Sequence, residues 1–213
     1  MHDDEVKSFE SRWKIALLAS VAILLQQPAV AQTVNYTRDA STVVVSYRID
    51  IGEIADTESG PSVQIFGDGN ALVHVPRYRR DSGDFKTKLS QAEMDNLMAT
   101  LVANGVLDFD AAAAKQAIRN ARQQRGGGAA EVLTESTDPD VTTIELRVRR
   151  NAAPGAGSGG GAAEVTKVVR WVGLRRDAQQ FGEIAAIRKL AAASERMEAV
   201  MERPDLQPVA SAQ

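Results

Sequence analysis

The sequence predicts an α+β fold: a mainly antiparallel sheet of about five strands with two or three helices packed on one face. Two segments, Ser41 to Ile51 and Val141 to Arg149, alternate apolar and polar residues with the period of a half-buried strand. The stretch QIFGDGNALVHV reads as a hairpin between two further strands. Ser90 to Val102 carries a complete helix signature, from cap to apolar stripe. Strands linked by hairpins, with helices inserted between them, give the order β-β-β-α-(α)-β-β-α.

The chain begins with a segment that is set apart from the fold. Ile15 to Leu25 is an unbroken apolar run, preceded by Arg12 and Lys14 and followed by Gln26-Gln27-Pro28. Ala29-Val30-Ala31 then has the A-x-A form of a cleavage site, so residues 1–31 read as a secretory signal peptide. The run is about half of the ~20 residues that a spanning helix needs. Asp3, Asp4, Glu5 and Glu10 make its leading region unusually acidic, which a misplaced start codon would also explain. The expected product is exported, periplasmic or secreted, with cleavage after Ala31 and no membrane span afterwards.

In the first strand, Val43, Val45, Tyr47, Ile49 and Ile51 share one face. Gly52 to Pro61 is acidic and turn-rich. Ser62 to Phe66 and Asn70 to Arg77 follow as strands around Gly67-Asp68-Gly69. This glycine loop invites comparison with a phosphate-gripping loop, but such a loop opens a helix, and here a strand follows. A calcium loop needs spaced oxygen ligands ending in Glu, and only Asp68 and Asn70 are present. A three-residue turn places Val63 opposite Val73 and Ile65 opposite Ala71. It gathers the small apolar residues on one face and Gln64, Phe66, Leu72 and His74 on the other. That register puts Gly69 at the left-handed position of a type I turn with a G1 bulge.

After a loop at Arg80 to Gly83, Ser90 and Glu93 form a capping box, Leu89 and Met94 a hydrophobic staple, and Met94, Leu97, Met98, Leu101 and Val102 a helical stripe. Gly105 suits the position just past the helix, and Val106 to Phe109 locks it down. Asp110 caps a second helix over Ala111 to Gln124. Its only large apolar residue is Ile118, and Lys115, Arg119 and Arg122 read as a solvated face. Residues 125–130 and 151–163 are glycine-rich and expected to be flexible. Val165 to Leu174 is apolar on both faces and reads as a central strand. Asp177 with Gln180 is expected to cap a last helix, Ala178 to about Glu202. Residues 32–203 then form one domain, and 204–213 are a disordered tail.

Composition narrows the chemistry. With 44% hydrophobic and 25% charged residues, the chain can bury a core without a staple. It has no cysteine, so disulfides, thiol chemistry and lipid attachment at the cleavage site are excluded. The net charge of −3 argues against a nucleic-acid partner. One of the two histidines, His2, lies in the leader, leaving His74. A metal site built from His and Cys is therefore not expected, nor is any cofactor. A Ser-His-Asp triad would have to use His74, and no nucleophile elbow marks its serine. Paired acids (Asp50 and Glu53, Asp56 and Glu58, Asp138 and Asp140) are equally well read as turn residues.

Arginines interleaved with aromatics are the remaining signal. They occur at Arg77-Tyr78-Arg79-Arg80, at Arg147 with Arg149-Arg150, and at Arg170-Trp171 with Arg175-Arg176. Arg77, Arg79, Arg80, Arg149 and Arg150 are the candidate contacts to an anionic partner. In a hairpin of the last two strands, Arg149-Arg150 and Arg175-Arg176 lie at opposite ends, about 30 Å apart. The clusters therefore cannot form one compact site.

The strand pair turning at IFGDGNALV, the helix LSQAEMDNLMATLVANGVLDFD, and the strands in TDPDVTTIELRV and KVVRWVG together resemble a family of bacterial exported domains of unknown function. Its pattern is a strand, G-x-G, a strand, an amphipathic helix ending in a Gly-Phe or Gly-Val-Leu lock, then Thr-Asp with a β-hairpin. The resemblance covers Thr42 to Val172 and implies export and the α+β fold. It carries no catalytic residue. The Ala/Arg-rich helix and the glycine-rich loop after Asn151 depart from it.

The expected function is a non-enzymatic binding domain of the bacterial cell envelope, with an envelope protein or anionic polymer as partner. The alternatives are an envelope hydrolase using a carboxylate pair or His74, and a structural envelope component. The oligomeric state is open.

Overall fold

A computed structural model describes residues 34–51, 59–126, 139–150 and 163–209. The expected signal peptide, the acidic segment 52–58 and most of both glycine-rich segments lie outside the described residues. The elements belong to one compact unit, Thr33–Gln213. They are β1 (Val43–Ile51), β2 (Ser62–Phe66), β3 (Asn70–Val75), β4 (Gly83–Lys88), α1 (Gln91–Ala103), α2 (Ala111–Gln124), β5 (Asp140–Arg150), β6 (Ala163–Val172), α3 (Leu174–Gln180), α4 (Ala185–Met201) and β7 (Gln207–Pro208).

The fold is α+β, as the alternation predicts. One seven-stranded sheet runs in the order β6-β5-β1-β2-β3-β4-β7, and every neighbouring pair is antiparallel. One face is the core: Tyr47, Val63, Ile65, Val73, Ile144 and Leu146 are essentially inaccessible there, beneath the apolar stripes of the helices. The other face carries Arg48, Gln64, Leu72, Lys86 and Arg170 to solvent. A bulge between Val43 and Val45 breaks the alternation locally and leaves both Val44 and Val45 fully buried.

The glycine turn has the expected register. Val63 pairs with Val73 and Ile65 with Ala71. Gly69 has φ +88°, and its N–H donates to Phe66 O at 2.9 Å. Its role extends beyond the hairpin. The Gly69 carbonyl accepts the Leu89 N–H at 2.9 Å, and a Cβ on Gly69 would come within 2.3 Å of the Leu89 carbonyl. The turn therefore seats the residue before the first helix.

Ser90 and Glu93 form the capping box of α1 as predicted. Met94, Leu97, Met98 and Leu101 are buried, each contributing roughly 1.5–3 kcal/mol of transfer free energy. Gly105 takes φ +72° after the helix. Asp110 accepts from the Ala112 and Ala113 N–H groups and caps α2. Only Ala114 and Ile118 of that helix are buried. Its cations are more than a solvated face: Lys115 lies over Trp171 at 5.9 Å and Arg122 over Phe181 at 5.4 Å.

Four expectations need correction. Gly83–Lys88 is a strand, whereas the sequence predicts a loop at Arg80 to Gly83 and no element between it and Leu89; its core face offers only Phe85 and Thr87, too little alternation to register. β6 is an edge strand, not a central one. Its inner residues Val169 and Trp171 are buried, but Val168 and Val172 are 56% and 45% exposed on the open face. Apolar residues on both faces are required of a doubly covered strand, but nothing obliges the second cover to exist. The last helix is two helices, broken over Phe181 to Ile184. Asp177 does not cap it: the carboxylate is buried and accepts from Trp171 Nε1 at 2.8 Å. Finally, part of the expected tail is structured. Gln207–Pro208 form β7 against β4, anchored by Arg203, which donates to Glu93 Oε1 at 2.6 Å and to both Asp205 oxygens.

Candidate functional site

Two grooves lie at different places on the sheet. The first, of about 410 Å³, opens where β1 ends and α3 begins. Ile49, Ile51 and Pro61 give it an apolar wall, and Arg79, Arg175 and Arg176 line it from two distant chain segments. The loop after β3 supplies Arg79, whose N–H donates to Pro76 O at 2.9 Å. The start of α3 supplies the other two. Gly173 takes φ +69° there, and its N–H donates to Asp140 O at 2.7 Å. A Cβ on Gly173 would stand 2.9 Å from Arg176 Nη2, so glycine also leaves room for that guanidinium.

A carboxylate holds one of these cations in place. Arg175 Nη2 donates to Glu198 Oε2 at 2.8 Å, and this bond is the main cause of the raised Arg175 pKa. Glu198 Oε1 accepts from Tyr47 Oη at 2.8 Å, and Ser194 Oγ lies 2.7 Å from the same phenol oxygen. Tyr47 is buried, and burial first, then the bonded Glu198 charge, pushes its pKa above the usual phenol value. The phenol is therefore neutral. With its one proton directed to Glu198, Ser194 is the donor in their bond. Arg176 makes only long, 3.4 Å contacts to Asp177. Arg79 has no ion pair among the described residues, and Asp140 adds one carboxylate to the wall. A guanidinium carries five N–H donors, and Arg175 uses one on Glu198. The groove thus retains donors that match a carboxylate or phosphate.

This geometry divides the predicted arginines. Arg77, Arg79 and Arg80 are exposed on one loop, and Arg79 lines the arginine groove. Arg149 is at the far end of β5, opposite Glu164, where its N–H donates to Asn35 O at 2.7 Å. Arg150 ends that strand. Asp140, in the groove, is nine strand residues from Arg149, about 30 Å away. Arg175 and Arg176 replace them beside Arg79. The sequence displays both pairs; only folding says which pair meets the Arg79 loop.

The second groove, of about 620 Å³, lies on the open face over β2, β3 and β4 and is lined by Phe66, Asn70, Leu72, Lys86, Lys88 and Gln207. His74 lies on the same face, outside both grooves. Its Nδ1 is 2.7 Å from Asp84 Oδ1, and the register sets Ser62 directly across on its other side. Among the described residues, no group of three or more His, Asp or Glu side chains is placed to hold a metal ion. No described helix is long and apolar enough to cross a membrane. Comparison with protein-family models, curated proteins and solved structures finds no match.

Proposed function

We infer that the chain is an exported, non-enzymatic binding domain of the bacterial cell envelope, gripping an anionic partner at the end of the sheet that carries Arg79, Arg175 and Arg176. The observation that carries this reading is the meeting of those three guanidiniums in one groove with an apolar wall. Arg77 and Arg80 flank Arg79 on the same exposed loop. Export rests on the leader-like segment.

Retention on immobilised polyphosphate and on alginate tests it. The native protein is expected to bind and to elute at a salt concentration that falls for Arg79→Ala and Arg176→Ala. Arg149→Ala, at the other end of β5, is expected to elute with the native protein. Equal elution of all four proteins removes the reading.

A second reading, a hydrolase using His74, is favoured by one observation: Ser62, His74 and Asp84 stand in a single cross-strand row with Asp84 on Nδ1, while His74 Nε2 has no hydrogen-bond partner among the described residues. Labelling of Ser62 by a fluorophosphonate, lost in His74→Ala, would establish it. Absence of labelling leaves the row as a ladder of polar side chains.

A further inference from the structure

We propose that the open-face groove over β3 and β4 is a second binding site, for a small free carboxylic acid with an apolar chain. It is independent of the arginine groove. Register alone builds its floor. Phe66 lies across from Asn70 by continuation of the β2–β3 pairing, and Asn70 pairs with Lys88. In the next row Gln64, Leu72, Lys86 and Gln207 stand side by side on four strands. Phe66 and Leu72 are thus diagonal neighbours, and Lys86 and Lys88 are two strand positions apart, about 7 Å. An apolar pair meets an ammonium pair on one surface.

The apolar pair is open to a ligand. Leu72 is 45% exposed and Phe66 partly so, which leaves apolar surface beside the lysines. The cations are available too. Lys86 has no ion pair among the described residues, and Lys88 approaches Asp68 only at 3.7 Å. Both Asp68 oxygens are already engaged by Asn70, at 3.0 and 2.6 Å. The other acid at the groove, Asp205, has its oxygens on Arg203 at 2.8 and 2.9 Å. Asp68 offsets Lys88 and Asp205 is paired with Arg203, so Lys86 is the cation at this groove without a counter-charge among the described residues, and it calls for one compact anionic head. Asn70 and Gln207 add hydrogen-bonding amides beside it. The volume falls in the range of small-molecule sites, roughly 300–1,000 Å³. It suits an acyl chain lying along Phe66 and Leu72 with its carboxylate between the lysines.

Octanoate is the probe, read by calorimetry and by amide chemical shifts of the purified protein. Expected are saturable binding, shifts centred on residues 70–72 and 86–88, and affinity weaker by about tenfold or more for acetate, inorganic phosphate and octanol. Lys86→Gln, Lys88→Gln and Leu72→Ser are each expected to weaken octanoate binding by about tenfold with unchanged melting temperature. All three side chains are exposed, so their loss leaves the core intact. The proposal is overturned by acetate or phosphate binding as tightly as octanoate, by shifts centred on the Arg79 loop, or by no change in the three variants. Arg79→Ala is expected to leave octanoate affinity untouched, which separates failure here from failure of the arginine groove.

Discussion

Trp171 donates its indole N–H to the buried carboxylate of Asp177 at 2.8 Å, tying the edge strand β6 to the short helix α3 that follows it. The same indole packs edge-on against Phe109, with ring centroids 5.7 Å apart, and lies beneath Lys115. One hydrogen bond thus sits where β6, α2, α3 and the segment after α1 meet.

Asp177→Leu is expected to destabilise the fold by about 1–3 kcal/mol, because it leaves a buried indole N–H without an acceptor. Asp177→Asn keeps an acceptor oxygen and is expected to cost less. Chemical denaturation midpoints of the two variants decide the matter. Equal losses would mean that packing, not the hydrogen bond, sets the cost.

Gly69→Ala is expected to cost more than about 2 kcal/mol. The residue adopts a left-handed φ of +88°, and its new Cβ would meet the Leu89 carbonyl at 2.3 Å. Thermal unfolding measures this. Gly105→Ala is the comparison: its φ is +72° but no atom lies within 4 Å of the added carbon, so only the conformational part of the cost, about 1 kcal/mol, should appear.

Acid should loosen the C-terminal strap first. Hydrogen bonding from Arg203, then from Ser90, holds the Glu93 carboxyl down to about 2, against an ordinary 4.5. Arg203 likewise holds Asp205 at about 2, against 3.8. A depressed folded-state pKa stabilises above the ordinary value and loses that contribution as pH falls toward the depressed one. Melting temperature should therefore decline from about pH 4.5 to about pH 2, with amides of residues 203–208 exchanging earliest. These groups are solvent-screened, so the decline is small, and Arg203→Ala should flatten it. An unchanged profile in that variant would assign the acid sensitivity to other carboxylates.

Val168→Lys is expected to leave stability within about 0.5 kcal/mol, because the side chain is exposed on the open face. It should also raise the concentration at which the protein begins to associate, since a charge blunts an apolar edge strand. Light scattering against concentration reads this. A marked fall in stability would show that Val168 is covered in solution.

Local pattern made much of this fold legible. The Gly67-Asp68-Gly69 register followed from a simple test, because slipping one residue swaps every side chain between faces. The capping box at Ser90 and the cap at Asp110 were readable because a helix N-terminus needs its N–H groups answered by nearby side chains. β4 escaped because a strand that presents only Phe85 and Thr87 to the core lacks the alternation that marks strands. The break between α3 and α4 had a signal in Gly182, masked by the continuing stripe of Phe181, Ile184 and Ile187. Asp177 had the spacing of a cap, and only the approach of Trp171 from β6 made it a core acceptor.

The candidate sites were less legible. Arg79 and Arg176 are 97 positions apart, and no local rule relates them; the groove exists because β5 pairs beside β1 and delivers α3 to the end of the sheet where the Arg79 loop lies. Lys86 and Lys88 stand in a strand too weakly patterned to be legible in the sequence, so their alternation against Leu72 is decided only by the fold. What the sequence by itself determined was the face of each strong element, the turn at Gly69, the helix caps, and the lack of cysteine chemistry. These are local properties, decided by backbone geometry and side-chain type within a few residues. Tertiary structure alone decided that β6 is an edge, that Asp177 is buried, and that two sets of cations line grooves. Those outcomes depend on strand order and on which layer covers which face, and long-range packing sets both.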